Sequence, residues 1–92
     1  MRNQNAKEQR ERSQVTYEIL ENFGVVREYE NGWKKELNLV SWNDSNPKYD
    51  IRDWNPDHSR MSKGITLHAD EMEALYQICR DKLEDKFAEK EA

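Results

Sequence analysis

Cysteine and histidine, the residues that most often build metal centres, are scarce in this chain of 92 residues. The single cysteine, Cys79, excludes an internal disulfide and a cage of thiolate ligands. It falls in a helical stretch, where we expect it to be a small buried hydrophobe. The two histidines, His58 and His68, have no ligand partners at a useful spacing. The sequence therefore predicts no metal site and no cofactor.

Long apolar runs and glycine-rich loops are also missing. No stretch approaches the roughly 20 apolar residues that cross a bilayer, and the polar N-terminus has no signal-peptide pattern, so we expect a soluble cytoplasmic protein with no membrane partner. There is no glycine-rich phosphate cradle and no histidine beside a nucleophile. Aspartates such as Asp50 and Asp53 do not by themselves indicate a nuclease. We expect neither an enzyme nor a small-molecule substrate.

Positive charge is in short supply overall. The chain has 15 basic and 19 acidic residues, a net charge of −4, which does not steer a nucleic acid from a distance. The acidic side chains are unevenly distributed along the chain, because residues 68–92 carry eight acidic and four basic side chains. The rest of the chain can therefore still form a locally positive surface.

The chain divides into a tail and one small domain. Residues 1–14 are polar and have almost nothing to bury, so we expect a disordered tail there. Residues 15–92 contain all the periodic patterns and form the domain. A chain of this size has little core to spare, and self-association is a natural way to bury more surface.

The patterns predict four strands and then a helix. Residues 15–30 form a first strand that bends near Gly24, and Asn31-Gly32 predicts a type I′ hairpin turn. Further strands are expected over residues 33–42, 48–54 and 63–67. A helical period then begins after His68, its predicted N-cap. Its apolar positions are Met72, Leu75, Tyr76, Cys79, Leu83 and Phe87. The fold class is α+β, a curved four-stranded antiparallel sheet followed by one C-terminal helix that covers the sheet.

The second and third strands separate apolar from polar side chains. One parity carries Leu37, Leu39, Tyr49 and Ile51, and it predicts a face for the hydrophobic core. The other parity combines positive side chains with indoles. Aromatic rings that stack on bases, next to cations that meet phosphates, are what single-stranded nucleic acids bind. The candidate binding residues are Lys34, Asn38, Trp42, Lys48, Arg52, Trp54 and, from the fourth strand, Lys63.

Four segments resemble a known family. They are GWKKELNLVSWN (residues 32–43), PKYDIRDW (residues 47–54), Asp57-His58 and KGITL (residues 63–67). They fall in the same order, and on the same predicted elements, as in the single-stranded DNA-binding domain of the transcriptional positive cofactor 4 family. The bacterial YdbC-type branch is the most similar. The resemblance covers residues 15 to 78.

The resemblance implies a homodimer whose curved sheets bind single-stranded DNA, with the helices at the dimer interface. It places Trp42 near the base-stacking aromatic of the family and Arg52 on its phosphate-contacting arginine. Trp54 matches the aromatic that follows, and Lys63 lies beside the family's Gly-Ile motif. The chain departs from the family at Asp44, an acid in a turn that relatives often make basic or glycine-rich. The acidic end beyond residue 83 has no counterpart.

Several alternatives remain open from the sequence. Trp42 and Trp54 could be core residues, and Arg52 could form a structural ion pair with Asp50 while it still meets a phosphate. The predicted function is a sequence-tolerant single-stranded DNA-binding protein of the bacterial nucleoid, with a coactivator-like or nucleic-acid-maintenance role. RNA is a further possible ligand. The alternative function is a protein-interaction adaptor of the transcription machinery that uses the same aromatic face.

Overall fold

The computed structural model describes residues 15–91, and the predicted tail over residues 1–14 lies outside the described residues. Its elements are β1 (Tyr17–Glu28), β2 (Lys34–Trp42), β3 (Lys48–Trp54), β4 (Met61–Leu67), α1 (Ala69–Ile78), a π-helical segment (Cys79–Leu83) and α2 (Glu84–Glu91). The four strands form one antiparallel sheet in the order β1-β2-β3-β4. The predicted α+β class and order of elements are confirmed. Within residues 15–91, no helix has the length and apolar character needed to span a membrane.

Strand β1 bends at three places. Its register with β2 shifts between Ile19 and Glu21, between Asn22 and Gly24, and between Val25 and Arg27. Each shift places an extra β1 residue against β2, which kinks the strand and increases its twist. The predicted bend near Gly24 is confirmed, and the two other shifts add to the curvature of the sheet.

The turn between β1 and β2 is not the predicted type I′ turn. That turn needs a positive φ at both central residues, but Asn31 is not among the described residues with positive φ, whereas Gly32 has φ 94°. The Gly32 N–H donates to the Tyr29 carbonyl at 3.0 Å, and the Tyr29 N–H donates to the Trp33 carbonyl at 2.8 Å. The loop is therefore three residues long and ends in a glycine bulge.

The type I′ geometry occurs instead between β2 and β3. Asn43 and Asp44 have φ of 51° and 62°, and the Ser45 N–H donates to the Trp42 carbonyl at 2.8 Å. Asn and Asp are the non-glycine residues that best tolerate this left-handed conformation. The turn also holds Trp42 at the very end of its strand.

Burial on the sheet is the reverse of the predicted pattern. We call the side that carries the even-numbered residues of β2 and β3, Trp42 and Trp54 among them, the indole face. The opposite side, with Leu37, Leu39, Tyr49 and Ile51, is the aliphatic face. All the buried residues in the described part of the chain lie on the indole face: Glu36, Asn38, Val40, Asp50 and Trp54. The predicted core on the aliphatic face is wrong for a single chain.

The helix explains this reversal. It leaves the edge strand β4 and contacts the sheet only at β3 and β4 among the described elements. None of the residues of α1 is buried, with Leu75 37% and Tyr76 56% exposed, and Cys79 is only partly buried. The sequence predicts that the helix covers the aliphatic face and a partner subunit. In the single chain, Leu37, Leu39, Tyr49 and Ile51 on that face are half-buried, and the cover of a partner subunit stays a prediction. His68 is the helix N-cap as predicted, and its N–H donates to the Glu71 carboxylate at 2.7 Å.

Candidate nucleic-acid interface

An open groove of about 480 Å³ runs across the indole face. The register places Tyr17 of β1 opposite Trp42 of β2, so the two rings meet across the strands, with centroids 5.9 Å apart. The start of β1, the loop of residues 55–60 and β4 complete the groove. Its lining residues are Val15, Tyr17, Trp42, Arg52, Ser59, Met61 and Thr66.

Arg52 is fixed in the floor of this groove. Its Nε and a terminal nitrogen donate to the two oxygens of the Asp50 carboxylate, each at 2.7 Å. The Thr66 hydroxyl donates to Asp50 at 3.0 Å, and the other terminal nitrogen of Arg52 donates to the Ser62 carbonyl at 3.3 Å. The Arg52 side chain is 14% exposed. The ion pair that the sequence left open is present, and it offsets much of the arginine charge.

Gly64 lets Arg52 occupy this position. The two residues are register partners on β3 and β4. A Cβ atom at residue 64 would lie 2.3 Å from the Arg52 Cβ and 2.3 Å from the Ile51 carbonyl oxygen. Only glycine allows so close an approach without displacing the backbone.

Trp42 is partly exposed, whereas Trp54 is not. Trp42 lines the groove, and its indole is packed against Arg52 and Tyr17. Trp54 is 1% exposed, with the Tyr17 ring 5.2 Å and the His58 ring 5.5 Å from it, centroid to centroid. The prediction of an open Trp54 ring is wrong, because the loop of residues 55–60 folds back over it. Strand parity assigns the face of a side chain, but it does not show what covers that face.

Asn38 is also unavailable as a surface contact. It is 0% exposed. Its amide oxygen accepts from the Asn22 side chain at 2.6 Å, and its amide nitrogen donates to Glu36 at 3.1 Å. The prediction that Asn38 contacts nucleic acid at the surface is wrong, because a buried amide satisfied by its neighbours serves the fold.

Lys34 and Lys48 lie on the indole face, and none of the three predicted lysines is among the residues that line the groove. Lys34 is opposite Trp54 in the register, and Lys48 is opposite Val40, which places them towards opposite ends of the sheet. Lys34 has a loose ion pair of 4.0 Å with Glu28. Lys63 is exposed, beside the register shift between β3 and β4. Lys48 and Lys63 have no ion pair among the described residues.

Lys35 does not belong to this group. It lies on the aliphatic side and pairs with Asp53 at 3.1 Å. The hydrogen bond that Lys35 donates to the Asp53 carboxylate raises the pKa of Lys35. This lysine is therefore occupied away from the groove.

Sequence reasoning missed one interaction on the indole face. His58 Nε2 lies 2.9 and 3.0 Å from the two carboxylate oxygens of Glu36, whose side chain is only 6% exposed. The Tyr17 hydroxyl donates to the His58 carbonyl. The even position of Glu36 on β2 could have placed it on this face, but no local signal pairs it with a histidine 22 residues away. Tyr17 was missed because the bulges of β1 obscure its parity.

Comparisons with known proteins agree on one family. The family model described as Transcriptional Coactivator p15 (PC4) matches residues 29–78, from the first hairpin to the end of α1. An uncharacterized protein of Treponema pallidum (strain Nichols) is 47% identical over 62 residues, which cover 67% of this chain and 73% of that protein. The residues matched by the family model include Trp42, Arg52 and His58, whereas Tyr17 lies before them.

Proposed function

This chain belongs to the transcriptional coactivator p15 (PC4) family, and on that premise we propose that it binds single-stranded DNA with little sequence preference. The family is one of non-enzymatic nucleic-acid-binding proteins with coactivator-like roles. The observation that carries the proposal is the groove on the indole face, walled by the rings of Tyr17 and Trp42. Its volume of about 480 Å³ is sufficient for a nucleobase.

The aromatic walls supply the base contacts. Stacking of a base on an aromatic side chain contributes about 1–3 kcal/mol and tolerates every base, because each base has a π-face. Trp42 and Tyr17 provide these surfaces. Trp54 supports Tyr17 from within the fold and does not itself stack on DNA.

The cations supply the phosphate contacts. Lys34 and Lys48 lie on the same face of the sheet as the groove, and Lys63 is exposed on β4. Their flexible side chains can follow a phosphate backbone. Arg52 presents what remains of its charge at the groove floor, oriented by Asp50. Each phosphate that is neutralised contributes a slope of about −0.7 to the dependence of log K on log salt concentration.

A second copy of the chain is the proposed partner on the aliphatic side. Ile65 of β4 is 53% exposed on that side, and Ile78 and Phe87 in the helical elements are each 52% exposed. A homodimer buries such a surface, and a small domain gains stability from it. Sedimentation equilibrium tests this proposal, with Tyr76→Glu as the variant expected to shift the protein to monomers. A wild-type protein that is monomeric at micromolar concentration contradicts it.

The DNA proposal is tested by titration with single-stranded and double-stranded oligonucleotides of equal length over a range of salt concentrations. We expect tighter binding of the single strand, quenching of tryptophan fluorescence, and similar affinities for oligo-dT and oligo-dA. Preference for the duplex, or no binding at low salt by folded protein, defeats the proposal. Matched RNA oligonucleotides in competition decide between deoxyribose and ribose. A protein with this activity works in the bacterial cytoplasm, with the nucleoid.

A second candidate function is supported by the acidic helix. Within residues 69–91, acidic side chains outnumber basic ones, and the apolar residues of α1 are largely exposed. These features suit a protein-interaction adaptor of the transcription machinery. Two results together favour this function. The chain does not bind DNA, and it binds a protein partner whose affinity is unchanged by Trp42→Ala and Arg52→Ala.

A further inference from the structure

The loop of residues 55–60 holds its shape by itself and meets the sheet through His58. Within the loop, the Asn55 amide oxygen accepts from the Arg60 N–H at 2.9 Å, and the Asp57 carboxylate accepts from the Ser59 N–H and hydroxyl at 3.0 and 2.6 Å. His58 then makes three contacts outward. Its ring meets the Glu36 carboxylate and the Trp54 indole, and its carbonyl accepts from the Tyr17 hydroxyl.

His58 is therefore the link between a buried carboxylate and a wall of the groove. Glu36 is 4% exposed, and apart from the imidazole the described donors to it are the amides of Asn22 and Asn38, at 3.2 and 3.1 Å. A buried carboxylate needs positive charge or donated hydrogen bonds nearby. His58 supplies both when it is protonated, and it holds a φ of 62° to do so.

We infer that the Glu36–His58 pair is a positioning element for the DNA-binding groove: the carboxylate fixes the imidazole, and the His58 backbone fixes the Tyr17 ring as the groove wall. The inference rests on the proposed function and extends it to residues that do not touch DNA. Ser59, the next residue of the loop, lines the groove as well. When the loop is held down, Tyr17 and Ser59 are in place before DNA arrives, which lowers the ordering cost of binding.

The strength of this link depends on pH. Histidine is the side chain that changes charge between about pH 5 and 8, and a charge-assisted hydrogen bond is about twice as strong as a neutral one. The pair is thus stronger at the acidic end of this range, and DNA affinity should fall as the pH rises. Other charged or titratable groups surround His58 on its own loop and on β1, β2 and β3. They are Asp57, Arg60, Tyr17, Lys34, Glu36 and Arg52.

The test measures the pH profile of oligo-dT affinity for the wild type and two variants, Glu36→Gln and His58→Asn. Asparagine tolerates the positive φ at residue 58 but is too short to reach Glu36. For the wild type, we expect the dissociation constant to rise about three- to tenfold between about pH 5.5 and 8. Both variants should give flat profiles. Loss of the buried Glu36 charge also changes the affinity at every pH, so the slope of the profile is the readout.

Two controls separate positioning from direct contact with DNA. His68→Gln removes the other histidine, the N-cap of α1, which is not among the residues that line the groove, and should keep the wild-type profile. The salt dependence should be the same at both ends of the pH range, whereas a His58–phosphate contact would steepen it by about 0.7 at low pH. The inference is overturned if the oligo-dT affinity of Glu36→Gln changes with pH as that of the wild type does, or if the salt slope of the wild type changes with pH.

A measurement without DNA keeps this test independent of the proposed function. The resonance of the Trp54 indole N–H reports the placement of the His58 ring, which lies 5.5 Å from the indole, so Glu36→Gln should shift or broaden it. DNA binding with a flat wild-type profile refutes the positioning role and leaves the proposed function intact. Absence of DNA binding refutes the proposed function, while the Trp54 resonance still decides whether the pair orders the groove. A Trp54 resonance that is the same in the wild type and in Glu36→Gln overturns the inference in either case.

Discussion

The guanidinium of Arg52 lies over the indole of Trp42, with its central carbon 4.6 Å from the ring centroid. A cation in this position is attracted to the ring by about 0.5–2 kcal/mol, and the bidentate pair with Asp50 prevents it from rotating away. Arg52 therefore keeps Trp42 in one orientation at the groove. The arrangement joins the predicted aromatic and the predicted arginine into one rigid unit.

Removal of the groove indole should weaken DNA binding without unfolding the protein. We expect Trp42→Ala to lower the affinity for oligo-dT by about 1–3 kcal/mol, because a stacking surface is lost. Trp33→Ala is the matched control, since it removes an indole outside the groove and should leave the affinity close to wild type. Fluorescence anisotropy of a labelled oligonucleotide measures both. Equal losses in the two variants contradict a specific role for Trp42.

Trp54 should contribute to the stability of the fold and not to base stacking. Truncation of a buried tryptophan costs about 3–5 kcal/mol, a large part of the stability of a small domain, so Trp54→Ala should unfold at much lower urea concentration. Trp54→Phe keeps a ring beneath Tyr17 and should lose less. An alanine variant that is as stable as the wild type but no longer binds DNA would show that Trp54 belongs to the DNA-binding surface.

The two unpaired lysines should set part of the salt dependence. We expect Lys48→Gln and Lys63→Gln each to reduce the slope of log K against log salt by about 0.7, because each removes one phosphate contact. Lys35→Gln is the control, because that lysine pairs with Asp53 on the aliphatic side. A slope that changes with Lys35 and not with Lys48 or Lys63 places the DNA on the other face of the sheet.

Gly64 should be intolerant of a side chain. The added Cβ of Gly64→Ala collides with Arg52 and with the Ile51 carbonyl, and we expect a loss of about 1–3 kcal/mol from overpacking. Gly24→Ala is the matched variant, because a Cβ there meets nothing within 4 Å. It should be neutral or stabilising by about 0.4–1 kcal/mol. Urea denaturation of both variants measures the difference, and equal effects show that the close approach of β4 to Arg52 is not needed.

Acid should loosen the loop of residues 55–60 through Asp57. Hydrogen bonds from Ser59 lower the pKa of Asp57 below its ordinary 3.8. Because the pKa is lower in the folded state, the carboxylate stabilises the fold above pH 3.8, and the effect is lost as the pH falls through the folded value. Asp57→Asn should therefore be less stable than the wild type at neutral pH, with the gap closing in acid. Thermal unfolding across this range measures it, and a gap that is constant with pH contradicts the account.

Most of the secondary structure could be predicted from local patterns. The alternation in β2 and β3 gave both strands to within a residue, and the apolar period after His68 gave the start of the helix. The turn over Asn31-Gly32 shows the limit of such patterns. The dipeptide favours type I′, but Gly32 alone takes a positive φ, since the loop contains a third residue.

The candidate site could be predicted only in part. Trp42 and Arg52 line the groove as the sequence led us to expect, whereas Trp54 and Asn38 lie beneath its surface. Tyr17 and His58 could not be identified as part of the site. Tyr17 precedes β2 and β3 in the chain and lies on a bulged strand, whereas His58 follows them and lies in an irregular loop. Neither residue belongs to a regular pattern that would assign it to a face of the sheet.

The sequence by itself determined which side chains share a face of the sheet, because successive residues of a strand point to opposite sides. It also determined the family, through segments whose order and spacing match. Only the tertiary structure decided which face is covered and by what. That outcome depends on contacts such as Tyr17 with Trp54 and His58 with Glu36, between residues far apart in the chain, and local periodicity carries no information about such contacts.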